Sequence, residues 1–366
     1  MRPAAAGGTV GECRPEGAGS KKLMLTTTEN SATAPLDQLR RTWKQLVAPY
    51  QKPRTRASVW QLLNSVVPYL ALWIAGYHLL AVSYWLTLAT SVLAAGFLVR
   101  IFIIFHDCGH GSFFASRRAN DVVGFLTGVL TFTPYFDWRR EHVQHHATAG
   151  DLDRRGLGDV ATMTVEEYRQ APLLRRIAYR LYRNPVVLLG LGPLWVFLVK
   201  QRFPHAASGP RERLSVHLTN LALVAAGASL ALTIGLKALV LVQLPILALG
   251  GAAGIWLFYL QHQFEHVYWA RGGERDFLAA ALRGSSFYQL PRILQWFSGN
   301  IGFHHIHHLS PRIPNYLLER CHREQPQLQQ VNRLTLRSSL GSLRLRLYDE
   351  AAGRMVSFRD AAAARS

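Results

Sequence analysis

Residues 57–110 read ASVWQLLNSVVPYLALWIAGYHLLAVSYWLTLATSVLAAGFLVRIFIIFHDCGH. From Ala57 to Val99 this stretch holds no Asp, Glu, Lys or Arg. A helix needs about 20 apolar residues to cross the hydrocarbon core of a bilayer, so the stretch contains two crossings and the turn between them. A second stretch, Leu214 to Gln263, carries only Lys237 as a charge and has room for two more. The predicted fold class is therefore all-α and integral to the membrane. Four transmembrane helices, at about residues 60–79, 83–104, 215–235 and 239–260, form two hairpins beneath a helical cap.

The remainder of the 366-residue chain is polar and basic, with 41 Lys and Arg against 22 Asp and Glu and a net charge of +19. The basic residues gather in 30–56, in 105–213 and after 262, whereas the turns near 76–83 and 235–239 carry Lys237 alone. Excess Lys and Arg marks the cytoplasmic side. Both termini, the central loop and the cap are accordingly expected to face the cytoplasm. Residues 1–30 are rich in Gly, Ala and Thr, lack the apolar core of a signal peptide and are expected to be disordered, with Met24 as an alternative start. A basic helical segment (31–57), the membrane domain (58–325) and a basic cytoplasmic tail (326–366) follow. Val122–Thr133 and Pro185–Val199 are too short or too broken to cross and read as interfacial or re-entrant. Cys13, Cys108 and Cys321 form no close pair, which excludes a disulfide framework or a CxxC redox motif. No nucleic-acid motif accompanies the positive charge, so its partners are lipid headgroups or an acidic protein.

Eleven of the 15 histidines fall in four short windows: His106-Asp-Cys-Gly-His110, His142-Val-Gln-His145-His146, His262-Gln-Phe-Glu-His266 and His304-His305-Ile-His307-His308. His142, His145 and His146 are spaced i, i+3, i+4, as are His304, His307 and His308, and on a helix such residues share one face. His106 and His110 are i, i+4, as are His262 and His266. His305 points off its neighbours' face, and His78, His205, His217 and His322 have no cluster and read as ordinary side chains. Neutral imidazole is the commonest metal ligand, and a catalytic metal takes about three protein ligands. Nine or more clustered imidazoles therefore imply two metals in one site. The first and third windows directly follow spans two and four, which puts the site at the membrane surface, where ionisable groups are functional candidates. Asp107, Glu141, Glu265 and Asn300 are candidates to orient ligand imidazoles, with Asp151, Asp153 and Asp159 behind them.

These windows resemble the histidine boxes of the membrane fatty acid desaturase family, in its bacterial acyl-lipid branch. The resemblance extends into the flanks: His106-Asp-Cys-Gly-His-Gly-Ser-Phe-Phe114, Arg140-Glu-His-Val-Gln-His-His-Ala-Thr148, the loop from Gly150 to Asp159, and Gly299-Asn-Ile-Gly-Phe-His-His-Ile-His-His-Leu-Ser-Pro-Arg-Ile-Pro-Asn-Tyr316. It covers roughly residues 40–325. It implies two non-haem irons that use O2 and external electrons to remove two hydrogens from an acyl chain, in a bacterial cytoplasmic membrane. The first, second and last boxes carry over residue by residue, and the additional metal ligand that the family places after span four falls in a window that His262 and His266 both fit, so both are counted as candidate metal ligands. The sequence holds no haem motif, flavin fingerprint or iron–sulfur cysteine set. Electrons must then come from a partner such as a ferredoxin or similar acidic carrier. Two other readings fit a histidine-rich membrane chain: a hydroxylase or ketolase of alkanes or carotenoids, and a metal transporter. The transporter reading wants ligands at the bilayer midplane, whereas these clusters follow the spans.

Overall fold

The computed structural model describes residues 34–156, 158 and 160–363. The segment expected to be disordered, 1–30, lies outside the described residues, as does Asp159. Helix α1 (Ala34–Val47) precedes two long helices, α2 (Thr55–Leu79) and α3 (Tyr84–His110), which lead to α4 (Arg117–Leu130) and α5 (Tyr135–Thr148). Short helices α6 (Val165–Gln170), α7 (Leu173–Tyr182) and α8 (Gly192–Leu198) connect to the second long pair, α9 (Pro210–Ile234) and α10 (Leu236–His262). The remaining third contains α11 (Phe277–Leu282), α12 (Arg292–Phe297), α13 (His304–Leu309), α14 (Asn315–Glu324), α15 (Leu336–Ser342) and α16 (Phe358–Ala363).

The four long helices are the four apolar segments of the sequence, and each is long and apolar enough to cross a membrane. Their outward faces carry large unpaired apolar side chains, such as Trp85 at 80% and Leu232 at 88% exposure, a surface suited to lipid rather than water. Inward, Tyr69 of α2, Ala94, Leu98 and Ile101 of α3, and Val242, Ile246 and Leu247 of α10 form one buried cluster. Gly250 lets α10 lie close on α3, since a Cβ there would sit 3.0 Å from Leu98. Neither of the two shorter apolar segments makes a straight crossing: α4 has 14 residues, and α7 is bent by 62° from the segment Val187–Arg202.

The expected all-α architecture is corrected to a mostly helical one. Five short strands, β1 (Met163–Thr164), β2 (Phe287–Gln289), β3 (Arg333–Thr335), β4 (Leu347–Asp349) and β5 (Arg354–Val356), form two small sheets ordered β1-β4-β5 and β2-β3. Strands of two or three residues leave no alternation for a sequence reading to detect. They tie the basic tail to the body, with β3 parallel to β2 and β4 parallel to β1.

Arg183, directly after α7, is the largest fully buried side chain. Its guanidinium donates to Gln263 Oε1 (2.8 Å), Thr162 Oγ1 (3.2 Å) and the carbonyls of Ala161 and Leu345 (3.2 and 3.1 Å), joining the central loop, the end of α10 and the tail. Arg183→Leu would strand several buried acceptors, each unmade bond costing about 1–3 kcal/mol. We expect a clear drop in the thermal midpoint of the detergent-solubilised protein, with loss of metal because Gln263 adjoins His262.

Candidate metal centre

Helix α3 continues beyond its apolar run and ends only at Gly111, whose φ of +67° closes the last turn, so His106 and His110 lie one turn apart on a continuous helix. Helix α5 starts after Pro134 and carries His142, His145 and His146. Helix α13 is six residues long and consists almost entirely of the last box. The chain enters it through Gly299 and Asn300, both at positive φ, and through Gly302, where a Cβ would lie 2.4 Å from the Tyr288 carbonyl oxygen.

These elements bring nine histidines into two groups. His106, His110, His142, His146 and His307 form one, and His145, His262, His304 and His308 the other, with the ring nitrogens of each group within 4.8 Å of one another. In the first group, His146 Nε2 lies 3.2 Å from His142 Nε2 and 3.0 Å from His307 Nε2. In the second, His262 Nε2 lies 3.2 Å from His145 Nε2 and 3.0 Å from His304 Nε2. Nitrogens bound at about 2.1 Å to one ion are roughly 3.0–3.4 Å apart, so these spacings fit the coordination of a metal.

The rings' outer atoms support the same assignment. His262 Nδ1 faces the Gly284 carbonyl at 3.0 Å and so must carry the proton, which leaves the Nε2 lone pair directed at His145 and His304. His106 Nδ1 likewise faces Asp107 Oδ1 at 3.1 Å. Asp107 Oδ2 is fixed by the Asn315 backbone N–H (2.6 Å) and side-chain amide (2.8 Å), and Asn315 accepts from Gln61 of α2 at 2.9 Å. Trp138 stacks on His142 with ring centres 4.4 Å apart. Among the described residues the buried Nε2 atoms of His110 and His308, and the Nδ1 atoms of His304 and His307, have no hydrogen-bond partner, and the two Nε2 atoms are free to act as ligand atoms.

Burial, and after it the neighbouring imidazoles, pushes His142, His146, His304, His307 and His308 well below the ordinary imidazole value. Neutral rings are the form that binds metal.

Helix α10 ends at His262, so the expected common helical face of His262 and His266 does not form. His266 is exposed and lines a separate recess with Leu36 and Arg283. His305 turns away from both groups to His322, 3.2 Å away, and His205 pairs with Asp137 at 2.7 Å. His78 and His217 are exposed.

Among the described acidic candidates, Asp107 is the one placed against a clustered imidazole, that of His106. Glu141 meets Lys200 at 3.2 Å and His205 at 3.4 Å, Glu265 pairs with Arg354, and Asp151 and Asp153 bind Arg154 and Arg271. Asn300 acts one step back, donating to the Asn315 carbonyl at 3.2 Å. Asn315, Trp138 and Gly284 were not foreseen from the sequence. The Pro-Asn-Tyr flank of the last box was the available signal for Asn315, whereas nothing local marks a carbonyl such as that of Gly284.

Residues 83–338, which include all nine clustered histidines, match the family model described as fatty acid desaturase. The chain belongs to the fatty acid desaturase family. It is 50% identical over 313 residues to a fatty acid desaturase of Bacillus subtilis, covering 86% of this chain and 89% of that protein. It is also similar to two proteins of Synechocystis. One is an sn-1 oleoyl-lipid 12-desaturase, 26% identical over 73% of this chain and 74% of the relative. The other is an sn-1 acyl-lipid omega-3 desaturase (ferredoxin), 29% identical over 68% and 70%. As a family member with four apolar helices of crossing length, the chain is a membrane protein, and histidine clusters able to hold metal fit the family.

Two outcomes follow for this desaturase-family centre. Asp107→Ala frees His106 to rotate, and metal affinity is expected to fall about 10–100-fold, read by competition with a chelator. The depressed imidazoles set the sign of the pH dependence. Below about pH 6.5 the unfolded chain takes up protons that the folded cluster refuses. Stability of the metal-depleted protein therefore falls as the pH drops through that value and is insensitive to these groups above it. Thermal unfolding across a pH series measures this.

Proposed function

We propose that this chain introduces a double bond into the acyl chains of membrane lipids at two non-haem irons, using O2 and electrons from a separate carrier. The observation that carries this reading is the pair of facing imidazole groups, five and four, at the ends of crossing-length helices in a chain of the desaturase family. His106, His110, His142, His146 and His307 would hold one iron, and His145, His262, His304 and His308 the other. His266 has no part in this set. When bound, the irons supply the oxidising power that an unactivated C–H bond requires.

The chain's own residues bind, orient and exclude. Asp107 and the Gly284 carbonyl fix two rings in the tautomer that presents Nε2 to the metal, and Trp138 limits the tilt of His142. The exposed apolar faces of the spans would carry an acyl chain from the lipid, and the packed core of α2, α3 and α10 would keep water from the reacting methylenes. The reaction takes one hydrogen from each of two adjacent methylenes. With two electrons and two protons from outside, these reduce one O2 to two waters.

Lipid-bound acyl chains are supported as substrate by the two relatives whose names specify them, and a ferredoxin-like donor by the name of one. A net charge of +19 favours an acidic carrier. The same reading includes two helical hairpins with both termini and the metal-bearing cap on the cytoplasmic side of a bacterial inner membrane. The charge-poor turns near 76–83 and 235–239 support it.

Gas chromatography–mass spectrometry of fatty acids from cells expressing the chain should reveal a new unsaturated acid in the membrane lipids. Hydroxylated products instead would assign the chain to the oxygenase reading. Purified protein should contain two irons per chain, and a single ion, or zinc alone in active material, would contradict the proposal. His262→Ala should lose iron and activity, whereas His266→Ala should keep both.

A further inference from the structure

On the surface beside the first imidazole group lies a recess of about 640 Å³ whose wall includes His110. Arg117, Arg139, Arg211 and Arg312 surround it, with Asp121 as the opposing charge, leaving a surplus of three positive charges. The arginines come from α4, α5, the start of α9 and the loop after α13, so tertiary structure assembles the ring and it is not one solvated helix face. Asp121 engages Arg139 at 3.3 Å and Arg211 at 3.2 Å, and Arg211 lies over the Phe136 ring at 3.8 Å. Arg117 and Arg312 are exposed and form no ion pair among the described residues.

We infer that this recess is the docking point of the electron carrier, a small acidic one-electron protein, and that electrons enter through the His110 ring. The inference rests on the function proposed above. Each double bond requires two such deliveries. Two reduced carriers are oxidised, and their electrons, with two protons from solvent and the two hydrogens of the acyl chain, reduce O2 to two waters. A carrier cannot reach a buried metal, so it must approach the edge of a ligand ring. The recess brings His110 to a positively charged opening, where an acidic protrusion is steered and held.

A phospholipid headgroup is the competing occupant, and chain geometry disfavours it. A headgroup seated beside His110 would bring the first carbons of its acyl chain to the metals and carry the mid-chain methylenes past them.

The test uses the full-length, iron-loaded protein in nanodiscs of phosphatidylcholine, with a plant-type 2Fe–2S ferredoxin as probe. In Arg117→Glu/Arg312→Glu, the ferredoxin association rate at low salt should fall by about tenfold and lose most of its salt dependence. The ratio of ferredoxin-driven to viologen-driven desaturation should fall with it. The control Arg337→Glu/Arg359→Glu removes the same charge elsewhere on the surface and should change both little. An equal loss in both variants would reduce the effect to net charge and overturn the inference, as would unaltered association in the recess variant. A raised KM for phospholipid with unaltered ferredoxin association would reassign the recess to headgroups. If the unsubstituted protein fails to desaturate even with viologen, the proposed function fails, and the association rates still report on docking.

Discussion

The structure depends on keeping nine imidazoles neutral, buried and convergent where the long helices α3 and α10 end. Each ring taken out of water must satisfy its nitrogens or incur a desolvation cost. The ligand sets themselves consist of imidazoles among the described residues, and burial holds His142, His146, His304, His307 and His308 well below their usual range. Neutrality in turn leaves one lone pair per ring, and the outer hydrogen bonds decide where that lone pair points. This explains why Asp107 is buried and fixed by both amides of Asn315, and why a loop carbonyl, that of Gly284, sits behind His262. The span contacts, the tight turn at Gly302 and the docked tail all serve that convergence.

Helix geometry divides the rings between the groups. Consecutive residues on an α-helix are about 100° apart in direction, so adjacent histidines cannot serve one centre from one face. On α5, His142 and His146 join the first group and His145 the second, while on α13 His304 and His308 join the second and His307 the first. The two boxes thus contribute in mirrored fashion, each giving its i, i+4 pair to one group and its third ring to the other. The HxxHH spacing serves both groups because the third ring departs from the face shared by the other two.

Much of this was legible in the sequence. The spans stood out because a bilayer forbids charge over a whole helix, and charge is easily read. The boxes stood out because 11 of 15 histidines crowd into four windows. Spacing alone directs each box at a common centre, because periodicity reports a shared face and does not resolve the angle within it. It also could not foresee contacts between distant segments: Gln61 on Asn315, Arg183 on Gln263, or three-residue strands too short to show alternation. Glu141 and Glu265 were plausible from proximity in sequence alone, and nearby cations claimed both.

The inequality of the two groups has a cause far from either. Helix α3 supplies two rings because it persists through His110, whereas α10 supplies one because it stops at His262, one turn before His266. Beyond that point Phe264 and Val267 are buried with Leu152, Tyr348 and Met355, and the Met355 N–H donates to the Glu265 carbonyl at 2.8 Å. A continuing helix would have used the Glu265 carbonyl internally and held Phe264 on the wrong side for this cluster. The tail strands β4 and β5 therefore help unwind the chain after His262, and in doing so they withdraw a fifth imidazole from the second group. Residues that seemed a basic appendage in the sequence thus take part in setting how many nitrogens each metal would receive.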